Sequence, residues 1–344
     1  MAKHSTDGLA NDQSRLSSKR VYSIASGTPF LKTLASSLID GQLIDGFNPS
    51  SDPFLLPQAT IYLPTRRAAR ALGDEILAVL GKDAALLPNI LTFGDGSDHE
   101  PTNEINPANL FEPKLPNAIS VNARKKYLSL LIQQWARSIS PDNRRLLGAD
   151  DIMIPSSTAE AIRMAGDLTN LLDQMETDEI GWSSLSKLAS IDTDEDGRPA
   201  AWANWWNLTL QFLNIVSDYW PSMLQEMTLC DPAQRRRMQL DRITRQYLEY
   251  GSKGPVIAAG STGSVPATAR LITAISKLEN GAVVLPGVDK SAISSLLVEM
   301  NRSTSSVTDR NLEATLSTHP QYGLNQLINE IGIAPEMIQP LGQA

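Results

Sequence analysis

Short apolar runs, each followed by a turn that contains glycine or proline, recur near both ends of the chain. Five of these runs are five or six residues long and predict buried β-strands, at residues 20–25, 59–63, 88–93, 255–259 and 281–285. Apolar residues at helical spacing follow most of them. Continuously apolar strands that alternate with helices are typical of a parallel sheet with helices on both faces. We therefore expect an α/β fold around a parallel sheet of about five strands.

Two of the predicted strands lead into helices with recognisable start signals. Thr28 followed by Pro29 predicts the N-cap and the first residue of a helix that ends at Gly41. After the second strand, a turn at Pro64 precedes a helix that begins at Arg66. Each of these helices begins directly after a strand, which is the arrangement of a βα unit.

The strand pattern is absent from the middle of the chain. A proline-containing stretch at residues 97–118 predicts an extended connector, and four amphipathic helices follow, beginning near residues 120, 157, 201 and 231. Ser157 and Glu160 have the spacing of a capping box at the second of these helices. We expect three parts: a disordered leader at 1–19, a sheet domain formed by 20–95 and 252–344, and a connector with an all-helical insertion at 96–251.

Composition excludes several classes of protein. The 344 residues are 42% hydrophobic and 20% charged, which excludes a collagen-like or wholly disordered chain. The single cysteine, Cys230, excludes a disulfide framework and a zinc site made of CxxC pairs. The three histidines lie in loop-like sequence, so we expect no metal site.

Charge and hydropathy bear on location and partners. No apolar run is long enough to span a bilayer, and residues 1–19 lack the apolar core of a signal peptide. We therefore expect a cytoplasmic protein without a membrane partner. The net charge of −8 implies that contact with a nucleic acid would depend on a local basic patch.

The turn after the first strand is where a phosphate-binding loop would lie, because N–H groups at a helix N-terminus hold anions. Ser26, Gly27, Thr28 and Lys32 form this candidate, and Lys32 with the next residue matches the end of the P-loop signature. However, Ser26 and Leu31 stand where that signature requires glycine, and Lys32 lies a full turn inside the helix.

The turn after the fourth strand, with Gly260 and Ser261, is the second part of this candidate nucleotide site. Hydrolysis of a nucleoside triphosphate requires carboxylates at such a strand end to hold Mg²⁺, yet no Asp or Glu lies between Glu249 and Glu279. We interpret the two turns as a degenerate nucleotide site and expect no catalytic residue and no ATP or Mg²⁺ cofactor. An ordinary strand-to-helix connection is the alternative interpretation of residues 260–264.

The turn after the second strand has the most informative polar residues. A Thr65 hydroxyl, helix N–H groups and the guanidiniums of Arg66 and Arg67 can converge on one phosphate. The helix dipole disfavours arginine at a helix start, which favours a ligand-facing role, although ordinary surface arginines are the alternative. Two further basic clusters, at residues 124–126 and 235–237, are interpreted first as solvated helix faces.

Four blocks of sequence, in this order, resemble the N-terminal part of AddB, a subunit of the AddAB double-strand-break repair helicase–nuclease, in its alphaproteobacterial form. They read VYSIASGTPFL at 21–31, IYLPTRRAARAL at 61–72, PVIAAGSTGSVPATARL at 255–271 and GAVVLPGVD at 281–289. The resemblance extends over about residues 20–335.

The resemblance implies a RecA-like domain of an inactivated superfamily I helicase with a helical insertion. Thr65, Arg66 and Arg67 would fall where such helicases contact the backbone of single-stranded DNA. The implied partners are an AddA-like helicase–nuclease subunit and single-stranded or end-of-duplex DNA. Members of the family are longer and hold a nuclease domain with a cysteine-bound iron–sulfur cluster, so we expect this chain to be an N-terminal fragment without that cluster and without nuclease activity.

Three functions follow as hypotheses. The first is a non-catalytic DNA-binding and scaffolding module of a recombinational repair complex. The second is an active ATP-dependent helicase with an aberrant phosphate loop. The third is a protein-interaction domain that does not bind DNA, which the acidic net charge favours. ATP turnover separates the first from the second, and salt-dependent DNA binding separates the first from the third.

Overall fold

The computed structural model of the protein describes residues 19–93, 114–139, 154–182, 184, 200–295 and 317–342. The strands are β1 Val21–Ile24, β2 Thr60–Leu63, β3 Asn89–Thr92, β4 Asn117–Ala118, β5 Leu229–Cys230, β6 Val256–Ala259, β7 Gly281–Pro286 and β8 Gln339–Leu341. The main helices are α1 Phe30–Ile39, α2 Arg66–Leu80, α3 Val121–Ser138, α4 Thr158–Thr177, α5 Ala200–Glu226, α6 Pro232–Tyr250, α7 Pro266–Ser276 and α8 Tyr322–Ile331. Residues 1–18 of the predicted leader and most of the predicted connector lie outside the described residues.

The chain divides into two compact units. The first takes residues up to 95 and from 240 onward, and the second takes residues 96–239. The first unit is built on a parallel sheet of six strands in the order β3-β2-β6-β7-β1-β8. Five of these strands coincide with the five predicted apolar runs, and the sheet confirms the α/β prediction. The sixth strand, β8, has three residues with Pro340 in the middle, so it has no apolar run that a sequence pattern could detect.

Helices cover both faces of the sheet. Because side chains alternate along each strand, every strand contributes residues to both faces. On one face, Ile24 and Ile61 pack in a single core with Leu34 of α1 and Leu72 of α2. On the other face, the core joins the sheet to α7, α8 and the C-terminal part of α6, with Val21, Tyr62, Val283, Leu271, Leu327 and Leu240 among its members. Burial on both faces explains why these strands are continuously apolar.

The parallel arrangement brings four βα turns to one edge of the sheet. β1 lies between β7 and β8, and β2 pairs with β6 from Thr60 opposite Val256 onward. The turns after β1, β2, β6 and β7 therefore meet at the carboxyl edge, where ligands bind in open α/β sheets.

The start of α1 differs from the prediction by one residue. The helix begins at Phe30, and Pro29 rather than Thr28 is the N-cap, with no side-chain hydrogen bond to the helix end. Proline suits this position because its fixed φ and missing N–H do not disturb the first turn. The helix ends at Ile39, two residues before Gly41.

The second unit packs α3, α4 and α5 around their own core. The rings of Trp135 and Phe212 lie 4.8 Å apart, centre to centre, within this core. The unit is not formed by helices alone, since β4 and β5 pair in parallel through Asn117 opposite Leu229. Each of these strands is two residues long, which is too short for the periodicity that identifies a strand.

Across the described part of the chain, no helix combines the length and the apolar character that crossing a membrane requires.

Candidate functional site

The turn after β2 presents a polar, exposed helix start at the carboxyl edge of the sheet. Thr65 is the N-cap of α2, and its Oγ1 accepts a hydrogen bond from the N–H of Ala68 at 3.1 Å. The hydroxyl oxygen therefore stabilises the helix, and the hydroxyl proton is still able to reach an acceptor outside it. N–H groups in the first turn of a helix point away from the helix body, toward a potential anion.

Arg66 and Arg67 are the first two residues of α2, and both are exposed. No acidic residue lies in the first turn of this helix. Arg67 has no ion-pair partner among the residues that the structure describes. Two guanidiniums at a helix N-terminus raise the local positive potential, which an incoming phosphate would neutralise.

The turn after β1 is short and tightly closed. The N–H of Thr28 donates to the carbonyl of Ala25 at 3.2 Å, and Ser26 and Gly27 are exposed in this turn. Since Pro29 has no N–H, the segment that enters α1 offers one donor fewer than an ordinary helix start. A phosphate-binding loop needs a wider ring of backbone donors than this turn provides.

Lys32 and Gly260 have different surroundings. Lys32 is exposed and lines a groove of about 680 Å³ with Ser36 of α1, with Asp40 directly after that helix and with Pro340 of β8. Lys32, the residue that matches the lysine of the P-loop signature, thus lies on the side of α1 that faces β8. Gly260 does not line the groove that contains Lys32.

Gly260 lies where three elements meet. It has a φ of +74°, and a Cβ added there would stand 3.2 Å from Cε1 of Phe30 and 3.6 Å from Cδ of Pro64. The phenyl ring of Phe30 therefore occupies the junction between the ends of β2 and β6. Ser261 is engaged in its own turn, because its Oγ accepts from the N–H of Gly263 at 3.2 Å.

A carboxylate that sequence reasoning missed follows β7. Oδ1 of Asp289 accepts hydrogen bonds from the Ser291 hydroxyl at 2.6 Å, from the Ser291 N–H at 3.0 Å and from the Ala292 N–H at 3.1 Å. The Ser291 hydroxyl and the Ala292 N–H hold the pKa of Asp289 below its ordinary value. Asp289 is thus an N-cap of the following helix, and the Asp-x-Ser pattern just after a strand was the signal for it.

The described residues contain no group of three or more His, Cys, Asp or Glu side chains that could hold a metal ion. The carboxyl edge instead offers an exposed helix start with two arginines beside a packed apolar junction. This arrangement suits the binding of an anion.

One of the basic residues predicted on solvated faces, Arg124, is internal, and two others, Arg235 and Arg237, are partly buried. The side chain of Arg124 is 2% exposed, and it pairs with Asp173 through Nη1 and with Asp231 through Nε, both at 2.7 Å. Arg237 pairs with Glu176 at 2.8 Å, and Arg235 donates to the carbonyl of Pro116. The interpretation as solvated faces was wrong for Arg124, because its charge is neutralised inside the second unit. The neighbouring residues 125 and 126 are exposed, as expected.

No protein-family model matches the chain, and no significant match is found among curated proteins.

Proposed function

We propose that this chain is a non-catalytic, helicase-like module that binds the backbone of DNA and acts as a scaffold in a cytoplasmic double-strand-break repair complex. The observation that carries the proposal is the pairing of two neighbouring features at the carboxyl edge. The helix start at Thr65, Arg66 and Arg67 is exposed, and next to it Phe30 and Pro64 both lie beside Gly260.

The strand order is compatible with the RecA-like assignment that the sequence resemblance implies. β1 lies inside the parallel sheet, between β7 and β8, and the order continues through β6 and β2 to β3. A parallel sheet with helices on both faces is compatible with many functions, so the fold supports the proposal only together with the site.

The proposal includes a nucleotide site that has lost its function. The turn of Ser26, Gly27 and Thr28 is too short to surround a phosphate chain, and Lys32 faces the groove beside β8. Ser261 closes its own turn, and no carboxylate follows β6. These residues do not fit ATP with Mg²⁺, which needs a wrapped phosphate chain and a carboxylate on the metal.

The proposed DNA contact is made with phosphate rather than with bases. Guanidiniums and backbone N–H groups at a helix start bind phosphate oxygens, which have the same chemistry in every nucleotide. Binding is therefore independent of sequence. Since the whole chain has a net charge of −8, the isolated chain should bind with about micromolar affinity or weaker, and an AddA-like partner subunit would supply the rest.

Titration of a fluorescently labelled single-stranded oligonucleotide at several salt concentrations tests the proposal. The double variant Arg66→Ala/Arg67→Ala should weaken binding and reduce the log–log salt slope by about one unit, since each neutralised phosphate contributes about 0.7 for a single strand. The matched control is Lys125→Ala/Lys126→Ala, which removes the same charge from exposed positions in the second unit.

Each possible result has a defined meaning. A reduced slope in the arginine variant and an unchanged slope in the lysine variant support the proposal. Equal reductions would mean that only net charge matters, and the site would be withdrawn. No detectable binding by the unmodified chain at low salt would favour a protein-interaction domain that does not use DNA.

A further inference from the structure

The groove beside β8 holds polar side chains that have no part in the proposed DNA contact. Its volume of about 680 Å³ is within the range of binding sites. One wall is a single face of α1 and of the residue that follows it, because the lining residues repeat at helical spacing. They are Lys32, Thr33, Ser36, Ser37 and Asp40. Gly342 lies against this wall, so close that a Cβ at position 342 would overlap Cγ2 of Thr33. The groove is therefore bounded by a helix and by the edge strand of the sheet.

Two opposite charges in this groove have no partner. Lys32 and Asp40 are both exposed, and neither forms an ion pair with any residue that the structure describes. They are a little over two helical turns apart, which separates them by about 12 Å along the helix axis. An extended chain rises about 3.3–3.6 Å per residue, so about three to four residues reach from one charge to the other. A bound segment with a basic and an acidic group at this spacing would neutralise both.

A buried hydroxyl in the same groove also lacks a partner. Ser37 is 3% exposed, yet its hydroxyl makes no hydrogen bond to any described group. Buried hydroxyls in other helices donate to a carbonyl of the preceding turn, as Thr169 does to Ala165 at 2.7 Å and Thr244 to Leu240 at 2.8 Å. A buried polar group without a partner costs free energy. Since Ser37 lines the groove, a molecule that fills it would give this hydroxyl the missing bond.

The edge strand offers an acceptor to the groove, and no donor, at its central residue. The carbonyl of Ile24 accepts from the N–H of Gly287, so Ile24 bonds to β7 and the adjacent Ser23 bonds to β8. Pro340 is opposite Ser23, and in a parallel pair the main-chain groups of such a residue point away from the partner strand. The Pro340 carbonyl can therefore accept from an added segment, whereas proline has no N–H to donate. Hydroxyls of α1 across the groove can supply the donors that β8 lacks.

We propose that the groove beside β8 binds an extended segment of a partner protein that has a basic side chain toward Asp40 and an acidic side chain toward Lys32. N–H groups of the segment donate to the Pro340 carbonyl, and its carbonyls accept from hydroxyls of α1, that of Ser37 among them. Main-chain hydrogen bonds thus hold the segment, and the two charges select it. The residues of the proposed DNA contact do not line the groove, so the two contacts are tested independently.

Three acetylated and amidated tetrapeptides of equal length test the proposal on the full chain. Their sequences are Lys-Ala-Ala-Glu, Lys-Ala-Ala-Lys and Glu-Ala-Ala-Glu, and ligand-observed saturation-transfer NMR at low salt measures their binding. The peptide with opposite charges should bind saturably at millimolar concentration. It should bind about three- to fivefold more tightly than the other two, as expected for one additional exposed charge pair. Equal binding of the three peptides, or no saturable binding of the first, would overturn the proposal.

A charge reversal locates the binding. Lys32→Glu makes both charges of the groove negative, so the preferred peptide should change from Lys-Ala-Ala-Glu to Lys-Ala-Ala-Lys. Lys82→Glu is the matched control, because Lys82 is exposed in the same unit and does not line the groove. It should leave the preference as it is. An unchanged preference in Lys32→Glu, or the same change in both variants, would contradict the proposed site.

The buried hydroxyl provides a test that does not involve charge. Ser37→Ala removes one donor at a buried position without adding volume, and it should weaken binding of all three peptides about two- to tenfold. Circular dichroism should show an unchanged fold. Maltotriose serves as a neutral probe rich in hydroxyl groups. If Ser37→Ala leaves the peptides unaffected, or if maltotriose binds saturably and the peptides do not, the groove is not a peptide site and the proposal is withdrawn.

Discussion

The phenyl ring of Phe30 lies directly against Gly260, so that a Cβ at position 260 would be 3.2 Å from Cε1 of the ring. This contact joins the first turn of α1 to the end of β6, two segments that are far apart in the chain. The contact therefore contributes to the packing of the first unit.

Gly260→Ala should destabilise the protein by about 2 kcal/mol. Part of this cost is the positive φ of 74°, and the rest is the close approach to Phe30. Gly27→Ala is the matched control, because its φ is +88° and no atom lies within 4 Å of an added Cβ. It should cost about 1 kcal/mol. Chemical denaturation of both variants measures the difference. Equal losses of unfolding free energy would show that Phe30 does not restrict a side chain at position 260.

Steady-state hydrolysis of ATP by the purified chain should remain at background, with or without single-stranded DNA. The reason is that Lys32 lines the groove beside β8 and that Asp289 is engaged as a helix cap. Lys32→Ala should then change nothing in a phosphate-release assay. Turnover above background that Lys32→Ala abolishes would replace the non-catalytic assignment with that of an active ATPase.

Arg124→Ala should destabilise the second unit by about 3–5 kcal/mol, because it leaves the mostly buried carboxylate of Asp231 without its cation. Lys125→Ala, at the next and exposed position, should stay within about 0.5 kcal/mol of the unmodified protein. The double variant Arg124→Met/Asp231→Asn should recover part of the loss, since it removes both charges. Urea unfolding of the three variants tests this, and a double variant no more stable than Arg124→Ala would contradict the coupling.

The loss of unfolding free energy caused by Arg124→Ala should also depend on pH in a defined direction. Burial already raises the folded-state pKa of Asp231, and loss of Arg124 raises it further. A raised folded-state pKa means that folding favours the protonated form of Asp231. The contribution of this carboxyl group to stability is therefore present at low pH and is lost as pH rises through the folded-state pKa. The destabilisation caused by Arg124→Ala should therefore be smaller in acid than at neutral pH.

Glu160 should make the start of α4 sensitive to acid. Its Oε2 accepts hydrogen bonds from the N–H of Ser156 at 2.7 Å and from the Ser156 hydroxyl at 2.9 Å. These bonds hold the pKa of Glu160 below its ordinary value, so their stabilisation is present above that value and is lost as pH falls through the folded-state pKa. Thermal unfolding between acid and neutral pH should show a steeper pH dependence than in Glu160→Gln, and identical slopes would contradict it.

The sequence predicted features that depend on local chemistry. The buried strands were found because both of their faces are covered, and Thr65 has the side-chain oxygen that a helix start requires. Ser157 caps α4 through the N–H of Glu160 at 3.3 Å, as its spacing predicted. The Glu160 side chain, however, reaches the N–H of Ser156 instead of that of Ser157.

Features that depend on contacts between distant residues were not predictable. Arg124 stands beside two lysines in a polar helix, and only the positions of Asp173 and Asp231 identify it as internal. No local pattern indicates that Phe30 meets Gly260. The structure establishes that Thr65, Arg66 and Arg67 are exposed and that they form a helix start. It contains no DNA, so the proposed contact stays a prediction.

The pairing of β2 with β6 has a consequence for how the chain folds during synthesis. Thr60 lies opposite Val256, so the ribosome must complete the whole second unit before the central strands can meet. Until then β2 can pair only with β3, and β1 has no neighbouring strand because both of its partners, β7 and β8, come later in the chain. The nascent chain therefore exposes apolar strand residues. The second unit has a core of its own, and β4 near its start pairs with β5 near its end. Folding of this unit therefore shortens the loop between the two parts of the sheet and lowers the entropy lost when they join.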